Sequence, residues 1–307
     1  MRVAVAQLAP VFLDRDATLA KVADAVSEAA SSGAALVAFG ETLVPAYPAW
    51  LSRTGGARFD DPQQKALYAR YVDQGVTMAH LQPLRALARK HGIAVVLGIA
   101  ERDVSRGSTL YCSRVFVDAK GQLASVHRKL MPTHEERLAW GIGDGAGLRT
   151  HPVGPFRVGA LNCWENWMPL ARAALYADGE DVHVMLWPGA RRLTQDITRF
   201  VARELRGYVL SASNLIRLSD LPADLRALMG DEPTGYDGGS CIAAPDGSWL
   251  VEPFIDAEGI RYADLDPMQV LAERQNFSPA GHYARPDVLR LRVDRRRQVG
   301  ATFDEGD

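Results

Sequence analysis

Two spacings of apolar residues alternate along this chain, one of strand type and one of helix type. The first residues read as a strand, Arg2–Gln7, and Thr18–Ala30 carries apolar side chains at helical spacing before Gly33 stops it. Ala35–Phe39 is a short continuous apolar run, the pattern of a strand covered on both faces. A loop with Pro45 and Pro48 follows. A helical region then runs from about Pro62 to Lys90, marked by Pro83 and stopped by Gly92. Three strands come next, at Ala94–Ala100, Thr109–Asp118 and Leu123–Arg128, the last two joined by a hairpin-type turn at Asp118-Ala119-Lys120-Gly121. Beyond a glycine-rich loop the alternation resumes. It gives a strand at Arg157–Asn162, a helix at Leu170–Ala177 closed by Gly179, a strand at Val182–Leu186, a helix at Gln195–Arg206 and a strand at Tyr208–Ala212. The last third predicts strands at Ser240–Ala244 and Trp249–Val251, flanking the turn Pro245-Asp246-Gly247-Ser248, and another at Gly259–Asp264.

Helical crossovers mixed with hairpins point to an α/β protein with one mixed sheet, or two sheets, covered by helices. No linker, repeat or low-complexity tract divides residues 1–307, so a single domain is expected, large enough for a substantial core. Composition changes this little: 47% hydrophobic and 23% charged residues are ordinary for a globular enzyme. A formal charge of −2 gives no electrostatic reason to expect nucleic acid, and Arg295, Arg296 and Arg297 read as a short solvated run. No stretch approaches the ~20 apolar residues of a membrane helix. Three cysteines at no zinc-like spacing argue against a disulfide framework or a metal site, and a reduced, cytoplasmic setting is the default expectation.

The chemistry is sought where strands end. The segment Arg157–Gly179 runs from a buried strand into Cys163, and a helical pattern begins within a few residues, near Pro169. Such an elbow puts a side chain at the carboxyl end of a sheet and near a helix amino terminus, whose free N–H groups favour a thiolate. A buried cysteine is also a common packing residue, and that is the reading given to Cys112 and Cys241, which lie inside strands. Glu41 follows the strand Ala35–Phe39 across a single glycine, Lys129 follows Arg128 directly, and Glu136 lies in the loop beyond. A carboxylate at such a place can take a thiol proton and an ammonium can stabilise developing negative charge, although any one such residue is more often an ion-pair partner or a solvated loop charge, and spacing alone leaves the choice open.

Three segments bear on this choice. Gly40-Glu41-Thr42-Leu43-Val44-Pro45-Ala46-Tyr47-Pro48, His127-Arg128-Lys129-Leu130-Met131-Pro132-Thr133-His134-Glu135-Glu136-Arg137 and Asn162-Cys163-Trp164-Glu165-Asn166 closely resemble, in order, the three signature segments of the nitrilase superfamily. Cys163-Trp164-Glu165, Pro132-Thr133-His134 and Gly143-Asp144-Gly145 are most similar to the true nitrilase branch. Trp187-Pro188, Gly238-Gly239-Ser240 and Gly281–Asp287 extend the resemblance over nearly the whole chain. The resemblance implies an α-β-β-α sandwich that pairs into a homodimer or a higher homo-oligomer. It also implies Cys163 as nucleophile, Glu41 as general base, Lys129 as charge stabiliser and Glu136 as a second carboxylate. The backbone N–H of Trp164 would contribute to an anion site, and the Tyr47 and Trp164 side chains would line a substrate pocket. No cofactor or metal is implied, and the substrate would be a small-molecule nitrile. Ile142 stands where many relatives carry an acidic residue, and the chain from about residue 280 is a short extended tail.

Rival readings remain at this point. An amidase, a carbamoyl hydrolase or a cyanide-hydrolysing enzyme would use the same set of residues. A non-catalytic scaffold would be expected to have lost one of the four positions, all filled here. A redox thiol would want a second cysteine near Cys163 in the sequence, and there is none.

Overall fold

The computed structural model describes residues 1–107 and 109–301. Its first half contains β1 (Arg2–Gln7), α1 (Arg15–Ser31), β2 (Leu36–Phe39), α2 (Pro62–Asp73), α3 (Gln82–His91), β3 (Ala94–Arg102), β4 (Leu110–Val117) and β5 (Leu123–Arg128). There follow β6 (His151–Val153), β7 (Phe156–Asn162), α4 (Pro169–Ala177), β8 (Val182–Trp187), α5 (Arg191–Leu205), β9 (Tyr208–Ser213) and β10 (Leu215–Ile216). The chain then forms α6 (Ala223–Met229), β11 (Tyr236–Ala243), β12 (Trp249–Ile255), β13 (Gly259–Asp264) and α7 (Pro267–Arg274).

The strands make two sheets. One has the order β13-β1-β2-β3-β4-β5; the other has the order β10-β11-β9-β8-β7-β6, with β12 paired to β11. Each is built around three parallel strands, β1-β2-β3 and β7-β8-β9, with antiparallel hairpins beside them. Side-chain alternation assigns the layers. Val3, Val5, Leu36, Ala38 and Val96 of the first sheet meet Val158, Ala160, Val182, Val184 and Leu210 of the second in a dry middle layer. The alternate residues Ala4, Val37, Val95 and Leu97 pack outward on Val22, Val26 and Ala29 of α1 and Leu84 and Ala88 of α3. On the far side Met185 and Val209 pack on Ile197 and Val201 of α5, and Leu161 on Ala174 and Leu175 of α4. Strands covered on both faces need apolar residues at every position, which is why they read as continuous runs in the sequence. The result is the α-β-β-α sandwich that the resemblance implies.

Several elements differ from the pattern-based expectation. The long helical region is two helices: the chain leaves α2 after Asp73, Val76 N–H donates to the Ala100 carbonyl, and α3 restarts with Pro83 in its first turn. The pattern does not predict β6, β10, α6 or α7; all four have eight or fewer residues, too few to show a period, and β10 has only two. The tail is not a free solvated run. Arg297 pairs with Asp144 at 3.1 Å and donates to the Val126 carbonyl at 2.6 Å, and Arg295 pairs with Asp178 at 3.1 Å. Among the described residues no helix is long and apolar enough to cross a membrane.

One close approach fixes the loop after β2. Val44 N–H donates to the Gly98 carbonyl at 3.3 Å, and Ala100 N–H donates to the Val44 carbonyl at 2.8 Å, so residues 40–44 cross directly over β3. A Cβ on Gly98 would lie 2.2 Å from the Gly40 carbonyl oxygen and 2.5 Å from the Thr42 nitrogen. Both obstacles are backbone and neither can swing away. Gly98→Ala is therefore expected to lower the unfolding free energy by about 1–3 kcal/mol, the range for overpacking a filled interior. Urea unfolding with an unchanged midpoint would show that the crossing yields without cost.

Candidate active site

Four side chains from two sheets converge beneath this crossing. Because β5 runs antiparallel to β4, and β4 antiparallel to β3, the carboxyl ends of β2 and β5 lie on the same edge of the first sheet. Glu41 and Lys129 follow those ends, and Cys163 follows β7 of the second sheet. Lys129 is buried with its Nζ 2.9 Å from Glu41 Oε1 and 2.7 Å from Glu136 Oε2. A carboxylate oxygen from each glutamate and the Cys163 sulfur all lie within 4.8 Å of one another. Three such donors could in principle hold a cation, but the Lys129 ammonium already occupies the position between the two carboxylates. The set is therefore built around a fixed organic cation, and the residues do not fit a resident metal ion.

Local structure explains each placement. Cys163 leaves β7 with φ +47, a left-handed conformation unusual for a side chain with a Cβ, and opens a tight 3₁₀ turn to Trp167 before α4 begins. The strain is held by neighbours. Asn166 Nδ2 donates to the Cys163 carbonyl at 2.7 Å, and His183 pairs with Asn166 Oδ1 at 2.8 Å. The buried Glu165 carboxylate accepts from Asn162 N–H at 2.9 Å, from Leu130 N–H at 2.7 Å and faces His127 Nε2 at 3.0 Å. One side chain thus ties the cysteine elbow on one sheet to the lysine segment on the other. Burial opposes its charge, but His127 and the two backbone donors outweigh burial and hold its carboxyl below the usual range. On the glutamate side, Glu41 N–H donates to the Trp187 carbonyl at 3.0 Å and Asn214 Nδ2 donates to the Glu41 carbonyl at 2.6 Å. Glu136 accepts from Thr133 N–H at 2.6 Å and from the Tyr47 hydroxyl at 2.9 Å.

The electrostatics follow from burial. Burial pushes the Glu41 carboxyl up to about 7; Lys129 opposes the shift and Glu136 adds to it. Burial also raises the Cys163 thiol well above its ordinary range, with Glu41 adding, while Lys129 and the Trp164 N–H pull it down. Burial disfavours the Lys129 ammonium, yet Glu41, Cys163 and Glu136 together raise its pKa well above the ordinary value. The resting site is consequently a neutral thiol beside a carboxyl that exchanges its proton near neutral pH.

The structure brings together Glu41, Lys129, Glu136, Cys163 and Tyr47, whose ring also packs on Trp140 at 5.7 Å and Tyr236 at 5.3 Å. It does not bring in the Trp164 ring. That side chain is 47% exposed and lies against Trp167, so only its backbone N–H reaches the sulfur. Trp187 is fully buried in the core against α5 and serves the site through its carbonyl. Ile142 is exposed, while its neighbour Gly143 N–H donates to the Lys129 carbonyl at 2.9 Å. The sequence does not associate Trp140, Asn214 or Tyr236 with this cluster, and it gives Cys112 the buried packing place that the structure also shows. It carries His127 and Glu165 inside motifs without a role, although a histidine and a glutamate flanking the lysine and the cysteine are visible there.

The carbon-nitrogen hydrolase family model matches residues 2–275. An aliphatic nitrilase of Rhodococcus rhodochrous is 37% identical over all of this chain and 82% of its own length. A nitrilase of Pseudomonas syringae pv. syringae is 38% identical over 95% of this chain and 89% of its own. An arylacetonitrilase of Fusarium vanettenii is 34% identical over 97% and 94%. Among solved structures, a carbon-nitrogen hydrolase from Helicobacter pylori G27 superposes with a TM-score of 0.71 at 19% identity, covering 94% of this chain and 96% of that one. An amidase from Nesterenkonia sp. AN1, with acrylamide added at its active-site cysteine, gives 0.65 at 20% identity over 90% and 97%. The structural likenesses speak to the fold, and the extended sequence identity speaks to kinship: this chain belongs to the carbon-nitrogen hydrolase family, in its nitrilase branch.

Proposed function

We propose that this protein hydrolyses an organic nitrile to a carboxylic acid and ammonia, with Cys163 as nucleophile. The observation that carries the reading is the buried cluster in which Lys129 is clasped by Glu41 and Glu136 within reach of the Cys163 sulfur. The choice of nitrile rests on the relatives named nitrilases at 34–38% identity over nearly the whole chain. Glu41 takes the thiol proton as sulfur adds to the nitrile carbon. The former triple bond keeps a C=N, and the nitrogen, its charge stabilised by Lys129, takes the proton that Glu41 removed, which gives a thioimidate and returns Glu41 to its basic form. Water then adds with Glu41 again as base, the C–N bond breaks, ammonia leaves and a thioester remains. A second water hydrolyses the thioester, releasing the acid and returning the proton to sulfur. Glu136 orients Lys129 and the incoming water, the Trp164 N–H donates to the developing anion, and Tyr47 lines the pocket. No cofactor enters any step. The same reading makes residues 1–307 one domain of a cytoplasmic homodimer or higher homo-oligomer, for which the exposed Trp164, Trp167, Met168 and Leu170 supply apolar surface.

Ammonia release from aliphatic, arylaliphatic and aromatic nitriles and the matching amides tests the assignment, with Cys163→Ala as control. Nitriles are expected to yield ammonia with the native chain, and the variant, which removes one sulfur from a buried site, is expected to fold and yield none. Release from amides alone would keep the thiol mechanism and move the substrate class to amides; turnover by Cys163→Ala would remove the nucleophile assignment.

The Glu41 carboxyl sets a pH dependence. A carboxyl raised to about 7 is protonated below that pH, and the neutral acid is far too weak a base to take the thiol proton. The value of kcat/KM should therefore fall about tenfold per unit as pH drops below ~7. Glu41→Gln should lower kcat at least about a hundredfold, the lower end of what a general base supplies. A flat profile from pH 5 to 8, or a glutamine variant as fast as the native chain, would contradict the role.

A further inference from the structure

We propose that the buried thiol of Cys112 is a positioning residue for the general base: it donates to Glu41 Oε1 and leaves Oε2 as the oxygen that receives the Cys163 proton. This rests on the assignment of Glu41 as general base made above.

Cys112 sits near the start of β4 and is fully buried. Two of its atoms meet the site. Its carbonyl accepts from Lys129 N–H at 2.8 Å, and its sulfur donates to Glu41 Oε1 at 3.3 Å. One residue thus fixes the backbone of the lysine and the carboxylate of the glutamate, the two partners of the central ion pair. Oε1 also lies 2.9 Å from Lys129 Nζ, so its acceptor capacity is used twice. Oε2 is buried and has no hydrogen-bond partner among the described residues. A buried carboxylate oxygen without a donor is costly, and its reserve of basicity is what proton abstraction requires. A thiol suits the opposite side because it is a weak donor. It turns the carboxylate without lowering its basicity as far as a second ammonium would. Burial and the charge of Glu41 hold the Cys112 thiol well above its ordinary pKa, so it remains a donor.

The groups facing Glu41 are Lys129, Glu136, Cys163 and Cys112, with the Tyr47 and Tyr71 hydroxyls in the same electrostatic neighbourhood. Of these, Lys129 and Cys112 hydrogen-bond to its carboxylate. Removing the Cys112 donor withdraws a stabiliser of the ionised form, so the Glu41 pKa must rise.

The experiment is the pH profile of nitrile hydrolysis by the full chain with Cys112→Ala, Cys112→Val and Cys112→Ser. The alanine and valine variants, neither with a donor, should show kcat lowered about three- to tenfold at neutral pH, the scale of one net hydrogen bond, with KM little changed. Their acid limb should move upward by about half a pH unit. The serine variant, whose hydroxyl can donate to the same oxygen, should bring both the limb and kcat back toward native values. An acid limb that stays in place in the donorless variants overturns the proposal, as does a serine variant that behaves like alanine. Lower thermal stability with an unmoved limb would mark Cys112 as packing alone. Failure of the underlying reading looks different: the native chain itself would then show no acid limb, or Glu41→Gln would match it.

Discussion

The structure depends on one buried ammonium. Lys129 has no exposed side-chain surface, and taking an ion of that size out of water costs several kcal/mol even after relaxation. Only close opposite charge and hydrogen bonding offset that cost, and Glu41 and Glu136 supply both, at 2.9 and 2.7 Å. Two carboxylates against one ammonium leave an excess of negative charge in a dry site. Burial relieves the excess by raising the proton affinity of Glu41 to about 7. Burial and the second carboxylate thus raise Glu41 against the pull of the ammonium that holds the site together. Burial, with the charge of Glu41 and Glu136 adding and Lys129 opposing, likewise keeps the Cys163 sulfur a thiol at rest.

The two-sheet architecture is what makes such a cluster affordable to position. Each sheet contributes strand ends, and strand ends at the edge of a packed β layer move little because both faces are covered. The separation between the sheets then becomes the critical dimension, and Glu165 spans it by accepting from Asn162 on one side and Leu130 on the other. The left-handed backbone of Cys163 is tolerated because Asn166 and Glu165 determine the turn from both ends. Strain at Cys163 and burial of Glu165 are two parts of one arrangement.

Much of this is legible in the amino-acid sequence. Continuous apolar runs such as Val182–Leu186 announced strands covered on both faces, and the elbow at Cys163 and the strand ends at Glu41 and Lys129 stood out by their positions. Convergence was not legible, since nothing in spacing says that residues 41, 129 and 163 share a site; the motif resemblance supplied that. Cys112 was read as core because it lies mid-pattern in an apolar strand. It is indeed buried, but strand periodicity cannot reveal that its sulfur faces a carboxylate. Asn214 and Tyr236 stayed invisible because they act across long sequence separations from segments with weak patterning. The Trp164 ring faces solvent while its backbone N–H lies beside the Cys163 sulfur, a division that residue type alone does not reveal.

Selectivity must then reside elsewhere than in the reacting groups. On the proposed reading the same thiol, assisted by the same carboxylate and ammonium, would attack a nitrile or an amide carbon, and both paths share a tetrahedral species that can expel ammonia or keep it. What differs is how much room and which donors surround the leaving nitrogen. In this chain Tyr47, Trp140 and Tyr236 pack together beside Glu136, with the Tyr47 hydroxyl bound to it at 2.9 Å, and on the proposed reading they are the nearest wall. A ring anchored to the second carboxylate couples pocket shape to Lys129, because moving Tyr47 releases Glu136 and so changes the partner of the ammonium. Substitutions in this aromatic wall should therefore alter the partition between products along with the preference among substrates, since a hydrophobic wall by itself discriminates a methylene by only ~1–3 kcal/mol.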